Sequence, residues 1–300
     1  MRIVITGSEG FVGSKLKKRL KDRDLFFIDK ASPESKGINL NNSEALEKYF
    51  NSIDEFCLIH CAATRTDFGL KYHDYHLNNV TATESLLKVI SKKKVLKIIL
   101  LSSVASIEGR EIHNKNIRTN NSDDHYRKTK YLQEVLVEEW SFRNNIPFII
   151  LAPSAIYDTN LRNDTNIGKL IIYSNYLPFI PKINVKKSLT NLSDFINFIS
   201  YLLDSKHTNR KFLCIDRPVK TVSQIIKKFK KTRNKVIFIP FFKELLFLFS
   251  LFSSIFSFGG KIDTKLNLQR YKKLFKDTSY SNQKTYEETT YHEFLNRKNK

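Results

Sequence analysis

The 300-residue sequence predicts an α/β fold, a doubly wound parallel sheet of Rossmann type followed by a smaller, mostly C-terminal lobe. Two observations carry that expectation. The apolar run Arg2–Thr6 enters Gly7-x-x-Gly10-x-x-Gly13 directly, and a helical pattern then continues through Leu16 and Leu20. Beyond it, short apolar runs and helical patterns alternate six times over, up to residue 152. Alternation of that kind builds a parallel sheet with helices on its faces.

Taken in order, Arg2–Thr6 has the Ile/Val composition of a buried parallel strand. The glycines after it permit a tight turn and bring backbone N–H groups against a pyrophosphate at a helix N-terminus. The next apolar run, Leu25-Phe-Phe-Ile-Asp29, ends in an acid about 20 residues on, where the adenosine ribose hydroxyls need an acceptor. The opening therefore reads as a dinucleotide site. A polar loop over 31–42 contains Ile38-Asn39-Leu40 and precedes a helical pattern through Leu46 and Phe50. Glu55–His60 reads as a strand and ends in Cys61-Ala62-Ala63-Thr64, small residues that leave room for a ligand across the sheet edge. Asn78–Ile90 reads as a helix, and Lys97–Leu101 as a strand ending in Ser102-Ser103. A polar, irregular loop is expected from Glu108 to Asp124. A helix is expected from Tyr126 to about Phe142, with Leu132, Val135, Leu136 and Trp140 on one stripe. Pro147–Ala152 is the next strand. Residues 1–152 are thus expected to form the dinucleotide-binding core, with parts of later segments packing on it. Residues 153–300 form the substrate lobe and a basic C-terminal region.

Three cysteines, Cys57, Cys61 and Cys214, do not make a disulfide framework, and the start at Met1 carries no signal peptide. Both predict a reducing cytoplasm. No metal site is expected, since no paired Cys or His spacing accompanies them. Residues 1–150 carry 24 Lys and Arg against 19 Asp and Glu, a balance of +5; residues 151–300 carry 27 against 11, a balance of +16. A basic second half suits a diphosphate substrate, an anionic membrane surface or nucleic acid, or is simply solubilising lysine. Phe241–Phe258 is rich in Phe and Leu but too short to span a bilayer, which needs about 20 apolar residues. It reads as a helix packed on its own lobe, with an interfacial helix on an anionic membrane as the second reading.

Tyr126-Arg-Lys-Thr-Lys130 puts a phenol and an ammonium on one helix face. A neighbouring ammonium and a positive nicotinamide ring favour the phenolate, so the Tyr can exchange a hydroxyl proton near neutral pH. Ser103, at the end of the neighbouring strand, is placed to hydrogen-bond the same substrate oxygen. The set suits removal of a carbinol proton while hydride leaves for a cofactor, or the reverse.

Thr6-Gly-x-x-Gly10-Phe-Val-Gly13, Asp29, His60-Cys-Ala-Ala63, Asn78, Ser102-Ser103 and Tyr126-x-x-x-Lys130 together resemble the extended short-chain dehydrogenase/reductases, in particular the nucleotide-sugar epimerase/dehydratase family. The resemblance implies NAD as cofactor, contacted by Gly7, Gly10, Phe11, Val12, Gly13, Asp29, Asn39, Leu40, Cys61, Ala62, Ala63, Asn78, Ser102, Tyr126, Lys130 and Pro153. It implies Tyr126 as acid/base, Lys130 as the group that lowers its pKa and holds the nicotinamide ribose, and Ser103 as the residue orienting the sugar C4 oxygen. Asn166 and Lys187 join Ser103 and Tyr126 as substrate contacts. The activity implied is C4 epimerisation of a UDP-hexose or UDP-N-acetylhexosamine for surface polysaccharide, by a homodimer, with 4-keto-sugar reduction as the alternative. A non-catalytic dinucleotide- or RNA-binding module is the reading of another class, although the sequence lacks a recognisable nucleic-acid motif. Departures bear on substrate. Val104-Ala105 stands where 4,6-dehydratases carry Asp-Glu, Ala152 replaces an Arg, Asn39 stands for an Asp, and Glu108 stands for a Tyr. Lys30 beside Asp29 leaves NADP open, although Asp29 repels a 2′-phosphate.

Overall fold

A computed structural model of the chain describes residues 1–31, 33, 37–65, 70–117, 122–158, 166–175, 179–229, 236–237, 275–280 and 285–298. Two compact units emerge. Unit 1 comprises Met1–Ile156, Thr190–Ile215 and Ser281–Lys300, and unit 2 comprises Tyr157–Leu189 and Asp216–Tyr280.

The chain runs β1 (Arg2–Thr6), α1 (Gly13–Arg19), β2 (Asp24–Ile28), α2 (Ser43–Phe50), β3 (Glu55–His60), α3 (Tyr72–Tyr75), a π-helical stretch (His76–Thr81), α4 (Ala82–Ile90) and β4 (Lys94–Leu101). It continues through α5 (Ala105–Asn114), α6 (Ser122–Arg143), β5 (Phe148–Pro153), β6 (Ala155–Tyr157), α7 (Asn166–Asn175), β7 (Ile180–Pro181), β8 (Lys186–Lys187) and β9 (Leu189–Asn191). It ends with α8 (Leu192–Asp204), β10 (Arg210–Cys214), β11 (Lys220–Thr221), α9 (Val222–Phe229), β12 (Val236–Ile237) and α10 (Thr289–Lys298).

Unit 1 is built on a six-stranded sheet in the order β10-β5-β4-β3-β1-β2, parallel throughout. Side chains alternate across a strand, so each central strand feeds two cores. Ile3 and Ile5 of β1, Ile99 of β4, and Ile149 and Leu151 of β5 pack with Leu16, Phe198, Leu202 and Tyr291 on one face. Val4, Ile98, Leu100, Phe148 and Ile150 pack with Phe50, Leu86 and Val137 on the other. Burying each such side chain contributes about 1.5–3 kcal/mol. These strands are apolar on both faces because helices cover both. Lys97, buried in β4, departs from this, as do Thr6 and His60 at the carboxyl ends of β1 and β3. Lys97 Nζ donates to the carbonyls of Leu202 at 3.0 Å and Ser205 at 2.8 Å, satisfying acceptors that the end of α8 leaves open.

One departure from the sequence expectation concerns unit 1. The stretch expected to be an irregular loop from Glu108 to Asp124 contains helix α5, and α6 begins at Ser122 rather than Tyr126. Polar side chains hid α5: Ser106 and Gly109 are its buried residues, while Glu108 pairs with Arg127 at 3.1 Å. The sixth strand, β10, comes from beyond residue 152, and α8 and α10 also belong to unit 1.

Unit 2 contains the antiparallel pair β8–β11 and the parallel pair β7–β12. Ile180, Ile183, Val222 and Ile226 form one small core. Tyr157, Leu189 and Ile225 form another. Phe241–Phe258 lies outside the described residues. Among those described, no helix is long and apolar enough to cross a membrane.

Candidate active site at the switch point of the sheet

The strand order reverses direction between β1 and β3, the place where an open parallel sheet leaves a crevice at its carboxyl edge. Gly7 follows β1 with φ +68° and donates its N–H to the Ile28 carbonyl at 2.8 Å. A Cβ on Gly7 would stand 2.8 Å from the Ala62 nitrogen, and one on Gly13 would stand 2.1 Å from the Gly7 oxygen. The turn therefore closes only with bare backbone, the surface a pyrophosphate needs. Phe11 and Val12 complete it, Val12 buried in the core beneath. Asp29 follows β2, and its carboxylate accepts from the Glu9 N–H at 3.1 Å and the Ala31 N–H at 3.0 Å. That fixes an acceptor at the second strand's end, beside the glycine turn. These residues fit a dinucleotide.

The remaining predicted cofactor positions are distributed around this edge. Asn39 accepts from the Asn41 N–H at 3.1 Å and shapes the loop whose Leu40 is buried in the core. Lys30 Nζ donates to Asn78 Oδ1 at 2.8 Å, whereas it is Asn79 that is fully buried, bound to the Thr64 N–H at 2.6 Å and to Thr129 Oγ1 at 3.1 Å. Ala62 is half-buried and Ala63 exposed at the end of β3. Pro153 closes β5, and its carbonyl accepts the Val104 N–H at 3.0 Å, which anchors the loop carrying Ser103.

Lys130 lies one helical turn after Tyr126 on α6 and is only 1% exposed. Its Nζ donates to the Leu101 carbonyl at 2.8 Å and to Gln133 Oε1. The first bond ties the helix carrying Tyr126 to the end of the strand carrying Ser102 and Ser103. Burial pulls the Lys130 pKa down to about 8, while Glu134 and Cys61 pull the other way. The half-buried Tyr126 ring lies 6.4 Å from the Tyr75 ring. Ser103 Oγ accepts the Ala105 N–H at 3.2 Å. Ser102, by contrast, turns its hydroxyl away, to the Glu134 carboxylate.

Two polar clusters in this unit bring Thr6, His60 and Ser102 of the quoted motifs together with Thr83, Gln133, Glu134 and Tyr286, which the sequence expectation did not single out. In the first, Thr6 Oγ1 lies 2.6 Å from His60 Nδ1, His60 Nε2 lies 2.9 Å from Thr83 Oγ1, and Gln133 reaches Thr83 at 2.9 Å. Burial and then the charge of Lys130 hold His60 down at about 3, so it is neutral at physiological pH. In the second, the fully buried Glu134 accepts from the Tyr286 hydroxyl at 2.8 and 2.6 Å as well as from Ser102, with Lys211 Nζ at 3.8 Å. Gln133 and Glu134 stand at i+3 and i+4 from Lys130, so a polar pair on the buried face was their available signal. Tyr286 had none.

Of the predicted substrate contacts in unit 2, Asn166 heads α7 and its side chain is outside the described residues. Lys187 Nζ donates to the Lys276 carbonyl. Burial lowers its pKa to about 8, with Asp277 opposing.

A glycine turn at the switch point of a parallel sheet, with a Tyr-x-x-x-Lys helix bound to the end of its central strand, defines an enzyme of the extended short-chain dehydrogenase/reductase type. A sequence profile of the NAD-dependent epimerase/dehydratase family matches residues 3–197, and the chain belongs to that family. It is 26% identical over 234 residues to an uncharacterized UDP-glucose epimerase of Bacillus subtilis, covering 69% of this chain and 74% of the relative. Its structure is similar to the UDP-glucuronic acid 4-epimerase of Bacillus cereus in complex with NAD, with a TM-score of 0.61, 18% identity, and 92% and 100% of the two chains covered. It is also similar to the UDP-glucose 4-epimerase of Thermotoga maritima with UDP-glucose, with a TM-score of 0.59, 16% identity, and 80% and 86% covered. These likenesses are of fold. Family membership makes the chain an NAD-dependent enzyme.

Proposed function

We propose that the chain epimerises a UDP-linked hexose or N-acetylhexosamine at C4, with Tyr126 exchanging the proton of the C4 oxygen. The supporting observation is the bond from Lys130 to the Leu101 carbonyl, which holds the Tyr126 helix against the strand end that bears Ser103. Tyr126 takes the C4 hydroxyl proton, Ser103 orients that oxygen, and Lys130 favours the phenolate through its charge. NAD, held at the glycine turn of Gly7, Gly10 and Gly13, would supply the acceptor and donor of the C4 hydride. The proton is then handed back by Tyr126 to the same oxygen after the 4-keto sugar has turned over.

Neighbouring groups do not compete for this role. His60 is held neutral, burial pushes the Cys61 thiol up to about 12, and burial with the Glu134 charge keeps the Tyr286 hydroxyl protonated. Asp29 favours NAD over NADP. Asn166 is assigned to the nucleotide diphosphate, and Lys187 to the substrate, on the strength of the resemblance. Supply of sugars for surface polysaccharide, and assembly as a homodimer, complete the reading.

Incubation with UDP-glucose, UDP-GlcNAc and a UDP-4-keto sugar, with and without reduced cofactor, tests it. Net epimer formation without added reductant is expected, and Tyr126→Phe should retain NAD binding but lose turnover by at least ~10²-fold. Consumption of reduced cofactor only with the keto sugar would replace epimerisation by reduction. Undiminished turnover by Tyr126→Phe would remove the phenol from the chemistry.

A further inference from the structure

An ammonium has three N–H donors, and Lys130 commits one to the Leu101 carbonyl and one to Gln133 Oε1. The orientation of that Gln133 amide is itself determined. Its nitrogen lies 2.9 Å from Thr83 Oγ1, 3.1 Å from His60 Nε2 and 3.3 Å from the Ala62 carbonyl. Its oxygen is therefore the end turned to Lys130. Gln133 is fully buried, as are Thr83 and, within 1%, His60. A buried amide with satisfied donors cannot swing away from the lysine without leaving polar groups unpaired, which costs about 1–3 kcal/mol per group.

We infer that Gln133 is a positioning residue for Lys130: its amide oxygen fixes the ammonium's rotation, aims the third N–H at the ligand side, and holds the lysine in its charged form. This rests on the proposed role of Lys130 beside Tyr126. Other groups also act on Lys130, the Glu134 carboxylate from its own helix and the Cys61 thiol from the end of β3, while the lysine's charge in turn helps hold the His60 imidazole neutral. Lys211 stands beyond Glu134. Burial already opposes the charge, with the lysine titrating at about 8. Removal of the amide oxygen withdraws a favourable partner from the ammonium, whereas a carboxylate in its place strengthens the partnership. The two near-isosteric variants Gln133→Met and Gln133→Glu must therefore move the lysine in opposite directions.

The test is a pH titration of the Lys130 Cε resonance in lysine-labelled protein, assigned by its loss in Lys130→Arg, beside pH profiles of kcat/KM. Gln133→Met should lower the Lys130 midpoint by about one pH unit or more, the equivalent of one charge-assisted hydrogen bond. Gln133→Glu should raise it by a similar amount. The alkaline limb of kcat/KM should follow both shifts. A merely structural role would reduce activity at every pH and leave the limb in place. Unmoved midpoints, or shifts of one sign in both variants, would overturn the inference. If Gln133→Met does not fold, the upward shift in Gln133→Glu decides alone. The titration needs no sugar, so absence of turnover in the parent enzyme would defeat the proposed function while leaving this result readable.

Discussion

Gly13→Ala should open the dinucleotide turn. An added Cβ would stand 2.1 Å from the Gly7 oxygen and 2.8 Å from the Ser8 Cα; ordinary contact begins at 3.4 Å, so the carbonyl must retreat by the difference, 1.3 Å. Gly7 cannot supply that movement cheaply. It sits at φ +68° against the backbone of Ala62 and Cys61, and its N–H is bound to Ile28. Overpacking of this kind costs about 1–3 kcal/mol, which lowers Tm by roughly 2–4 °C per kcal/mol in a chain of this size. The larger effect should fall on the cofactor. Saturation with NAD at 100 times Kd stabilises the parent by about 2.7 kcal/mol, and a tenfold loss of affinity cuts this to about 1.4 kcal/mol at the same concentration. Thermal melts with and without NAD measure both terms. Gly10→Ala is the internal control, because its Cβ meets the Gly7 oxygen at 3.1 Å and needs only a small adjustment. An NAD-induced rise in Tm that is the same for Gly13→Ala as for the parent would refute the argument that this turn carries the pyrophosphate.

Tyr286→Phe removes the hydroxyl that donates to the buried Glu134 carboxylate, 2.6 and 2.8 Å from its two oxygens, and one contact with Ser106 Oγ at 2.8 Å. Loss of a hydrogen bond to a charged group is worth about 1.5–3 kcal/mol, so urea denaturation should show a destabilisation of that order, and an unchanged midpoint would count against the cluster. His60 titrates at about 3 in the folded chain against 6.5 for the free side chain. The unfolded state thus binds the extra proton below pH 6.5, and stability falls as pH drops through that window. At about 1.4 kcal/mol per pH unit the loss by pH 5 is about 2 kcal/mol. His60→Gln should escape this share when midpoints at pH 7 and pH 5 are compared, and equal acid losses in the two proteins would contradict it. Lys97→Met should free the carbonyls at the end of α8 and speed hydrogen exchange at the helix's last turn; unchanged protection there would show that the lysine is not its cap.

The sheet and the glycine turn were legible because their signals are local. Ile3, Val4 and Ile5 lie in one run, the glycines follow at once, and Asp29 ends the next strand. The shared helix of Tyr126 and Lys130 was legible for the same reason, one helical turn apart. Helix α5 was hidden because its buried face is made by Ser106 and Gly109 rather than by apolar side chains. Strand β10 was hidden because its partner, β5, is 57 to 66 positions away, and nothing in Arg210–Cys214 names that partner. The roles of Gln133, Glu134 and Tyr286 depend on contacts spanning up to 180 positions. Such contacts exist only once the chain has folded. Ser102 shows the converse: its neighbour Ser103 shares its chemistry, and only the direction of its hydroxyl, toward Glu134, separates them.

The threading of unit 1 sets an order of events during synthesis. Its edge strand β10 ends at Cys214, and the tyrosine bound to Glu134 is residue 286. A nascent chain with its first 152 residues outside the ribosome therefore carries an unpaired edge on β5 and an exposed ionisable group at Glu134. That intermediate is prone to edge-to-edge association. Unit 1 is therefore completed only once residues far downstream of its glycine turn have emerged.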